Sequence, residues 1–339
     1  MYEIAHQLMI FVGIMMYIFG SIGNILNIWV FVIWSRPPRR SHKHNRSNHT
    51  SNSSLYLLVS SISNLIVILY PLLTRIMFDG YQYRVTTNNI FILCKLRFYI
   101  LHTCDSISLI CICMATFDRY LISSRKVRLR KLSTRRQQTK LIILFIVFLI
   151  GLHALPIAIF FEISSTGQCT ILSPVYLYYY LYTFQIFLHG IFPIVFLSIF
   201  GFLTFRQLKN LTNQTGQQQN YHHRHRYRTS NSGKQLTRML LLISMAIILS
   251  CIPYSIEQCI TVMFLNDDRL KSSKFFLYHV ISHILYYTNP VSSFYIYYIS
   301  TPNFRIQLQR ILFCRNRVQY VVYYRVKTVA SSQSTSVNI

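Results

Sequence analysis

The stretch MATFDRYLIS, residues 114–123, places an acid, an arginine and a tyrosine at the end of a long apolar run. Asp118 and Arg119 can form a charge pair, and Tyr120 adds a hydroxyl beside them. A charge at the edge of an apolar segment is costly unless it is paired or hydrated. Two interpretations follow: these residues mark a helix end that meets water, or the pair is a switch that can be broken and remade.

Further ionisable residues lie inside apolar runs, where such a residue is a functional-site hypothesis by default. Asp105 is the clearest example, and it is either a ligand-binding acid or a core acid bonded to a tyrosine or histidine. The candidates for a binding pocket are Arg75, Arg97, His102, Asp105, Tyr254, Glu257, Gln258, His279, His283 and Tyr287.

The chain carries no recognisable pattern for catalysis. Glu162 and Glu257 are single acids, and neither H-E-x-x-H nor G-x-S-x-G occurs. Three histidines, His222, His223 and His225, lie in a polar stretch without partnered cysteines or a defined spacing, so we interpret them as a solvated loop. We therefore predict no enzyme activity, no cofactor and no metal site.

The elements that must position the candidate residues are apolar. Of 339 residues, 52% are hydrophobic and 12% charged, against roughly 25% charged in a soluble chain. Seven continuous apolar runs reach the roughly 20 residues that a membrane helix needs, and they do not alternate as barrel strands do. We predict membrane helices, called spans 1 to 7, at about 8–34, 55–78, 91–123, 138–162, 176–208, 235–265 and 273–300.

The net charge of +26 raises the question of nucleic-acid binding. Its distribution argues against that partner, because lysine and arginine concentrate after spans 1, 3, 5 and 7. None occurs before span 1 or at 163–175. Short basic loops stay in the cytoplasm, so we predict a plasma-membrane protein with an extracellular amino terminus and a cytoplasmic carboxyl terminus. The basic charge then attracts anionic lipid.

In this topology Asp118-Arg119-Tyr120 lies at the inner end of the third helix. Cys94 lies 25 residues before Arg119 on the outer side, and Cys169 lies in the next outer loop. The arrangement resembles the rhodopsin-like G protein-coupled receptors over nearly the whole chain. Smaller features agree with this resemblance: Gly23-Asn24 in span 1, Pro156, Pro193, Pro253-Tyr254, and a stretch at 300–314 that resembles the family's eighth helix.

The resemblance implies an all-α membrane protein, a seven-helix bundle with a short amphipathic eighth helix at about 302–314. Residues 1–314 would form the receptor domain, and 315–339 a disordered cytoplasmic tail. It also implies a disulfide between Cys94 and Cys169. Cys314 follows a basic and apolar stretch and is a candidate for lipidation.

The resemblance further implies a coupling switch made of Asp118, Arg119, Tyr120 and Tyr297. Arg119 would pair with Asp118 at rest and face a heterotrimeric G protein once helix 6 swings outward. Since 232–239 contains no acid, Asp118 is expected to be the main charge that restrains Arg119.

The tyrosine of span 7 has two possible registers. We favour Tyr297, seven residues before Phe304, over the register that starts at Asn289-Pro290 and has Ser293 in the tyrosine position.

Several positions depart from the family pattern. Asn64 replaces an aspartate in span 2, so the usual sodium site loses its charge, although Ser108 can still hydrogen-bond Asn64. Cys251 stands in place of a tryptophan in span 6. The polar residues expected in the helix core are Asn24, Asn64, Ser108 and Asn289.

The outer side limits the class of ligand. Leu101 stands where amine receptors carry an aspartate, and 276–299 holds no lysine for a retinal Schiff base. Mixed charges and an outer loop able to form a hairpin around Cys169 favour a peptide. The tyrosines of 176–182 are interpreted as interfacial anchors. The alternative function is a seven-span channel or transporter, which should show internal repeats and broken helices.

Overall fold

The computed structural model describes residues 1–36, 49–83, 91–124, 127–163, 169–217, 224–263 and 272–313. Long helices dominate them. The helices are α1, Tyr2–Trp34; α2, His49–Val67 continued by Ile68–Leu72, Leu73–Arg75 and Ile76–Gly80; α3, Phe91–Leu96 and Arg97–Ser123; α4, Arg136–Phe160; α5, Pro174–Tyr179, Tyr180–Ile191 and Phe192–Gln217; α6, Arg224–Met263; α7, Ser273–Ser300; and α8, Pro302–Leu312. A short helix, Val127–Lys131, joins α3 to α4.

Within the described ranges, six helices, α1 to α6, are long and apolar enough to cross a membrane. The seventh, α7, has 28 residues but carries serines, histidines and tyrosines, and it packs between α1 and α6. Its polar positions are largely turned inward, since Ser282, His283, Tyr286 and Asn289 are buried. The fold is therefore the predicted all-α membrane bundle.

The third helix lies at the centre of the bundle. It packs against α2, α4 and α5, while α1 contacts α2 and α7, and α6 lies between α5 and α7. By contrast, α4 is peripheral and leaves large apolar side chains such as Leu144 and Phe148 exposed. An apolar face of that size is unfavourable in water and suits a lipid environment.

The amino-terminal residues differ from the prediction. Span 1 was expected to begin near residue 8, but α1 begins at Tyr2. The rings of Tyr2 and His6 each lie 5.2 Å from the ring of Phe276 on α7, centroid to centroid. The first turns of α1 thus pack on the end of the bundle that holds Cys94, which we call the outer end, instead of forming a free tail.

The outer loop after α4 forms the expected hairpin. Strands β1, Phe161–Ile163, and β2, Cys169–Ile171, pair antiparallel. Cys169 is joined to Cys94 by a disulfide with a Cα–Cα distance of 5.7 Å, inside the range usual for such bonds. The loop is thereby fixed over the outer ends of α3 and α5.

The tyrosines at the start of α5 serve two purposes. Tyr178, Tyr179 and Tyr182 are exposed, as interfacial anchors would be. Tyr176 and Tyr180 are buried in the apolar cluster around Cys94. The interpretation of the whole run as anchors was therefore wrong for these two.

A close contact between α1 and α7 predicts a stability effect. A methyl group at Gly23 would lie 2.9 Å from Cβ of Phe294 on α7, and that atom cannot move without the backbone. We expect Gly23→Ala to lower the stability of the purified protein by about 1–3 kcal/mol, measured by thermal unfolding.

Gly201→Ala is the matched control for this change. The nearest atom to its new methyl group is Leu241 Cδ2 at 3.6 Å, an ordinary contact. The control should be neutral or raise stability by up to about 1 kcal/mol. Equal unfolding temperatures for the two variants would contradict the close packing of α1 on α7.

Candidate functional site

Buried polar side chains form three groups along the bundle. The inner cluster comprises Ser53, Asp118, Arg119 and Ser133. The central chain comprises Tyr254, Gln185, Tyr180, His102, His189, Asp105 and Tyr286. The outer cluster comprises Arg75, Asp79, Glu257, His279 and His283.

The inner cluster is organised by a serine of α2. Ser53 Oγ donates to Asp118 Oδ2 (2.6 Å) and accepts from Arg119 Nε (2.8 Å). Ser133 Oγ donates to Asp118 Oδ1 (2.9 Å). Asp118 and Arg119 are only 4% and 3% exposed, so the interpretation as a helix end that meets water is wrong for these residues.

The other two predicted switch residues lie elsewhere. Tyr120 packs on Phe200 of α5, with ring centroids 5.5 Å apart. Tyr297 is buried at the junction of α7 and α8, where its ring lies 6.0 Å from Phe304 and 5.4 Å from Phe31. The contact with Phe304 agrees with the register that we favoured for span 7.

The predicted core residues join neighbouring helices. Asn24 donates to the carbonyl of Pro290 on α7 (2.8 Å). Ser108 donates to Asn64 Oδ1 (2.6 Å), so the Asn64 amide takes the hydrogen bond proposed for it. Asn289 is buried, and its Oδ1 has no hydrogen-bond partner in the described part of the chain.

One assignment of hydrogens satisfies the central chain. Gln185 Nε2 donates to the Tyr180 hydroxyl (2.6 Å), whose own hydrogen then points to His102 Nε2 (2.6 Å). His102 must therefore carry its proton on Nδ1, which faces His189 Nε2 (3.2 Å). His189 in turn donates from Nδ1 to Asp105 Oδ2 (2.7 Å). Both histidines are neutral in this assignment, and each uses both ring nitrogens.

Tyrosines close the chain at its two ends. Tyr254 on α6 donates to Gln185 Oε1, and Tyr286 on α7 donates to Asp105 Oδ2. The chain thus runs from α6 through α5 and α3 to α7 and ends on one carboxylate. Asp105 is 2% exposed and its Oδ2 is bonded to His189 and Tyr286, so in this conformation it is a bonded core acid.

The loosely wound segment of α5 explains this geometry. Residues Tyr180–Ile191 form i→i+5 hydrogen bonds, which place residues five apart close together. Tyr180 and Gln185 meet in this way, and His189 follows on the same buried side. Tyr180 was interpreted only as an interfacial anchor, and neither Gln185 nor His189 was among the predicted site residues, since i→i+5 winding leaves no pattern of its own in the sequence.

The outer cluster joins α2, α6 and α7. Arg75 Nε forms an ion pair with Asp79 Oδ2 (2.8 Å), and Arg75 Nη2 donates to His279 Nε2 (2.8 Å). His279 therefore has its proton on Nδ1, which faces Glu257 Oε1 at 3.0 Å. Gln258 Nε2 donates to Glu257 Oε2 (2.6 Å).

The structure thus divides the predicted pocket residues. His102, Asp105 and Tyr254 belong to the central chain, and four others lie in or beside the outer cluster: Glu257, Gln258, His279 and His283. Arg97 lies over the ring of Phe78, 4.7 Å from its centroid. Tyr287 is buried in the apolar cluster of α1, α2 and α7.

The bond between Asp105 and His189 predicts a non-additive pair of mutations. His189→Leu leaves a buried carboxylate short of a donor and should lower the unfolding temperature. When Asp105→Asn is added to His189→Leu, it should lower the stability less than Asp105→Asn does alone. The expected coupling energy is about 0.5–3 kcal/mol.

Asp105→Asn combined with Thr204→Val is the control. Thr204 bonds only within its own helix, to the Phe200 carbonyl, among the contacts described, and lies far along α5, so this pair should be additive. Additive effects for Asp105 and His189 would contradict the hydrogen-bond assignment.

A comparison with protein families gives an independent result. Residues 10–297 match the family described as 7 transmembrane receptor (rhodopsin family). A comparison with curated proteins found no match. The matched range covers most of the chain, from the third turn of α1 to Tyr297. The chain therefore belongs to the rhodopsin family of seven-transmembrane receptors.

Proposed function

We propose that this receptor binds an extracellular peptide and activates a heterotrimeric G protein through outward movement of α6. The observation that carries the proposal is the inner cluster, in which Ser53 bonds to both Asp118 and Arg119. A buried arginine held by bonds that can be exchanged suits a switch between two states. Its role would be signalling and not catalysis.

The energies involved fit a switch. A hydrogen bond to a charged group contributes about 1.5–3 kcal/mol, so the few bonds of the inner cluster can set the balance between two conformations. Arg119 cannot touch an outer ligand, because Arg97 near the outer end of α3 lies 22 residues away, about 33 Å along a helix. Ligand and G protein would therefore be linked by biasing the same helix arrangement.

The central chain offers a route for that linkage. The hydroxyl of Tyr254, next to Pro253 inside α6, is held by Gln185 of α5. Movement of α6 about this point would alter a chain of bonds that ends on Asp105 and Tyr286. We propose that this chain takes the place of the tryptophan that Cys251 replaces.

The ligand class rests on the charges of the outer end. Arg75 and Arg97 supply two cations, and Asp79 and Glu257 supply two acids. A peptide offers charges of both signs and backbone groups that could pair with such groups. The hairpin of β1 and β2 lies at the same end and would limit access for the ligand.

We also propose an extracellular amino terminus and a cytoplasmic carboxyl terminus, because lysine and arginine follow the odd-numbered spans. Epitope tags at the two ends, probed on intact and permeabilised cells, test this orientation. An amino-terminal tag accessible only after permeabilisation would contradict it.

Arg119→Ala should abolish nucleotide exchange on co-expressed G proteins at unchanged surface expression, because no other residue takes its position. Asp118→Asn should raise exchange without ligand, because the carboxylate that orders the inner cluster becomes neutral. Both effects are measured by nucleotide exchange in membranes. Unchanged basal exchange in Asp118→Asn would contradict the switch.

Ser53→Ala should also raise basal exchange, by about ten- to a hundredfold, as expected for the loss of a hydrogen bond to a charged group of about 1.5–3 kcal/mol. Ser61→Ala is the matched control, since the Ser61 hydroxyl donates to the carbonyl of Leu57 in its own helix. Equal basal exchange in the two variants would show that Ser53 does not restrain Arg119.

A further inference from the structure

Two turns of α7 and one of α6 bring metal-binding groups together at the outer end. One oxygen of Glu257 and one nitrogen each of His279 and His283 lie within 4.8 Å of one another. The two histidines are four residues apart, a spacing that places both on one helix face. Glu257 faces them from α6.

We propose that Glu257, His279 and His283 form a binding site for a transition-metal cation of the Zn²⁺ class, which would clip α6 to α7. The sequence analysis, which considered only the loop histidines, predicted no metal site. Glu257 lies 22 residues from His279, and no spacing rule joins residues of two different helices. The site goes beyond the proposed function and does not depend on the ligand or on G protein coupling.

The surrounding bonds orient His283 and Glu257 as a metal site requires. His283 Nδ1 lies 2.8 Å from the carbonyl of His279, so it donates there and leaves Nε2 as a lone-pair donor. Gln258 Nε2 holds the other oxygen of Glu257 at 2.6 Å. Partners of this kind fix the tautomer and direction of metal ligands.

The distances fit a small cation after a modest side-chain adjustment. Zinc binds histidine nitrogen and carboxylate oxygen at about 2.0–2.2 Å, which places tetrahedral ligand atoms about 3.3–3.5 Å apart. His279 Nδ1 and Glu257 Oε1 are already 3.0 Å apart. The His279 side chain is 31% exposed, so a cation can enter beside it.

The donor set selects the kind of metal. Two imidazoles and one carboxylate suit zinc and its neighbours, whereas Mg²⁺ and Ca²⁺ prefer oxygen ligands. Three protein ligands leave a fourth position for water or for a group from a bound molecule. The carboxylate also supplies the single negative charge that partly balances a dication.

Arg75 should weaken metal binding, so its removal tests the proposal by the direction of the change in affinity. Its guanidinium donates to His279 Nε2, which keeps the proton of His279 on Nδ1, where the metal would bind. Metal binding therefore requires that proton to move to Nε2 and Arg75 to turn away, toward Asp79. Removing the charge at Arg75 should tighten metal binding.

The experiment uses the full chain purified in lipid nanodiscs, with thermal unfolding recorded during titration with Zn²⁺. We expect a saturable rise in unfolding temperature with Zn²⁺ and none with Mg²⁺ at the same concentrations. Glu257→Gln and His283→Gln should each raise the half-saturating Zn²⁺ concentration by at least about tenfold, a change of the size that altered metal-site partners produce. Arg75→Gln should lower it.

A second set of histidines provides the control. His222, His223 and His225 are clustered in the sequence but lack the spacing of a metal site, so the variant with all three changed to Asn should keep the wild-type response. The proposal is overturned if wild type shows no saturable shift, if His283→Gln keeps it, or if the triple variant alone loses it. Unfolding without metal reports whether each variant folds, and should Glu257→Gln fail to fold, His283→Gln decides.

Discussion

The buried carboxylate of Asp105 is the constraint on which the arrangement of the bundle depends. A charge at this depth is tolerated only when hydrogen-bond donors surround it, and α5 supplies His189 while α7 supplies Tyr286. His189 Nε2 also needs a hydrogen-bond donor, which His102 supplies. His102 is bonded in turn through Tyr180 and Gln185 to Tyr254 of α6. One acid thereby fixes the relative positions of four helices in a bundle where lipid offers no hydrophobic driving force between them.

Buried charges at the inner end of the bundle are also held by hydrogen bonds. Asp118 and Arg119 are buried side by side, and Ser53 bonds to both. In the proposed function, Arg119 would exchange these bonds for contacts with a G protein, and movement of α6 would alter the bonds of the central chain. The same physical rule therefore holds both the centre and the inner end of the bundle. A switch needs both, because movement of α6 must be transmitted without loosening the whole bundle.

The helices could be predicted from the sequence because membrane spans are set by length and apolar composition; the bounds of α3 and α7 agree with those expected. Other features required coordinates. The i→i+5 winding of α5 changes which residues share a helix face, so α-helical periodicity does not place His189 beside Asp105. Ser53 is one of several serines at the start of α2, any of which could face α3. The meeting of Glu257 with His279 depends on how α6 and α7 are rotated. Cys314 and the tail lie outside the described residues.

The proposed function requires that α6 moves away from α3 at the inner end when a G protein binds. Spin labels at two exposed positions, Leu132 after α3 and Arg238 on α6, report this distance in the purified receptor by pulsed electron resonance. We predict that adding nucleotide-free G protein lengthens the distance, and that adding excess guanine nucleotide reverses the change. An unchanged distance distribution, with binding of the G protein verified in the same sample, would contradict the account.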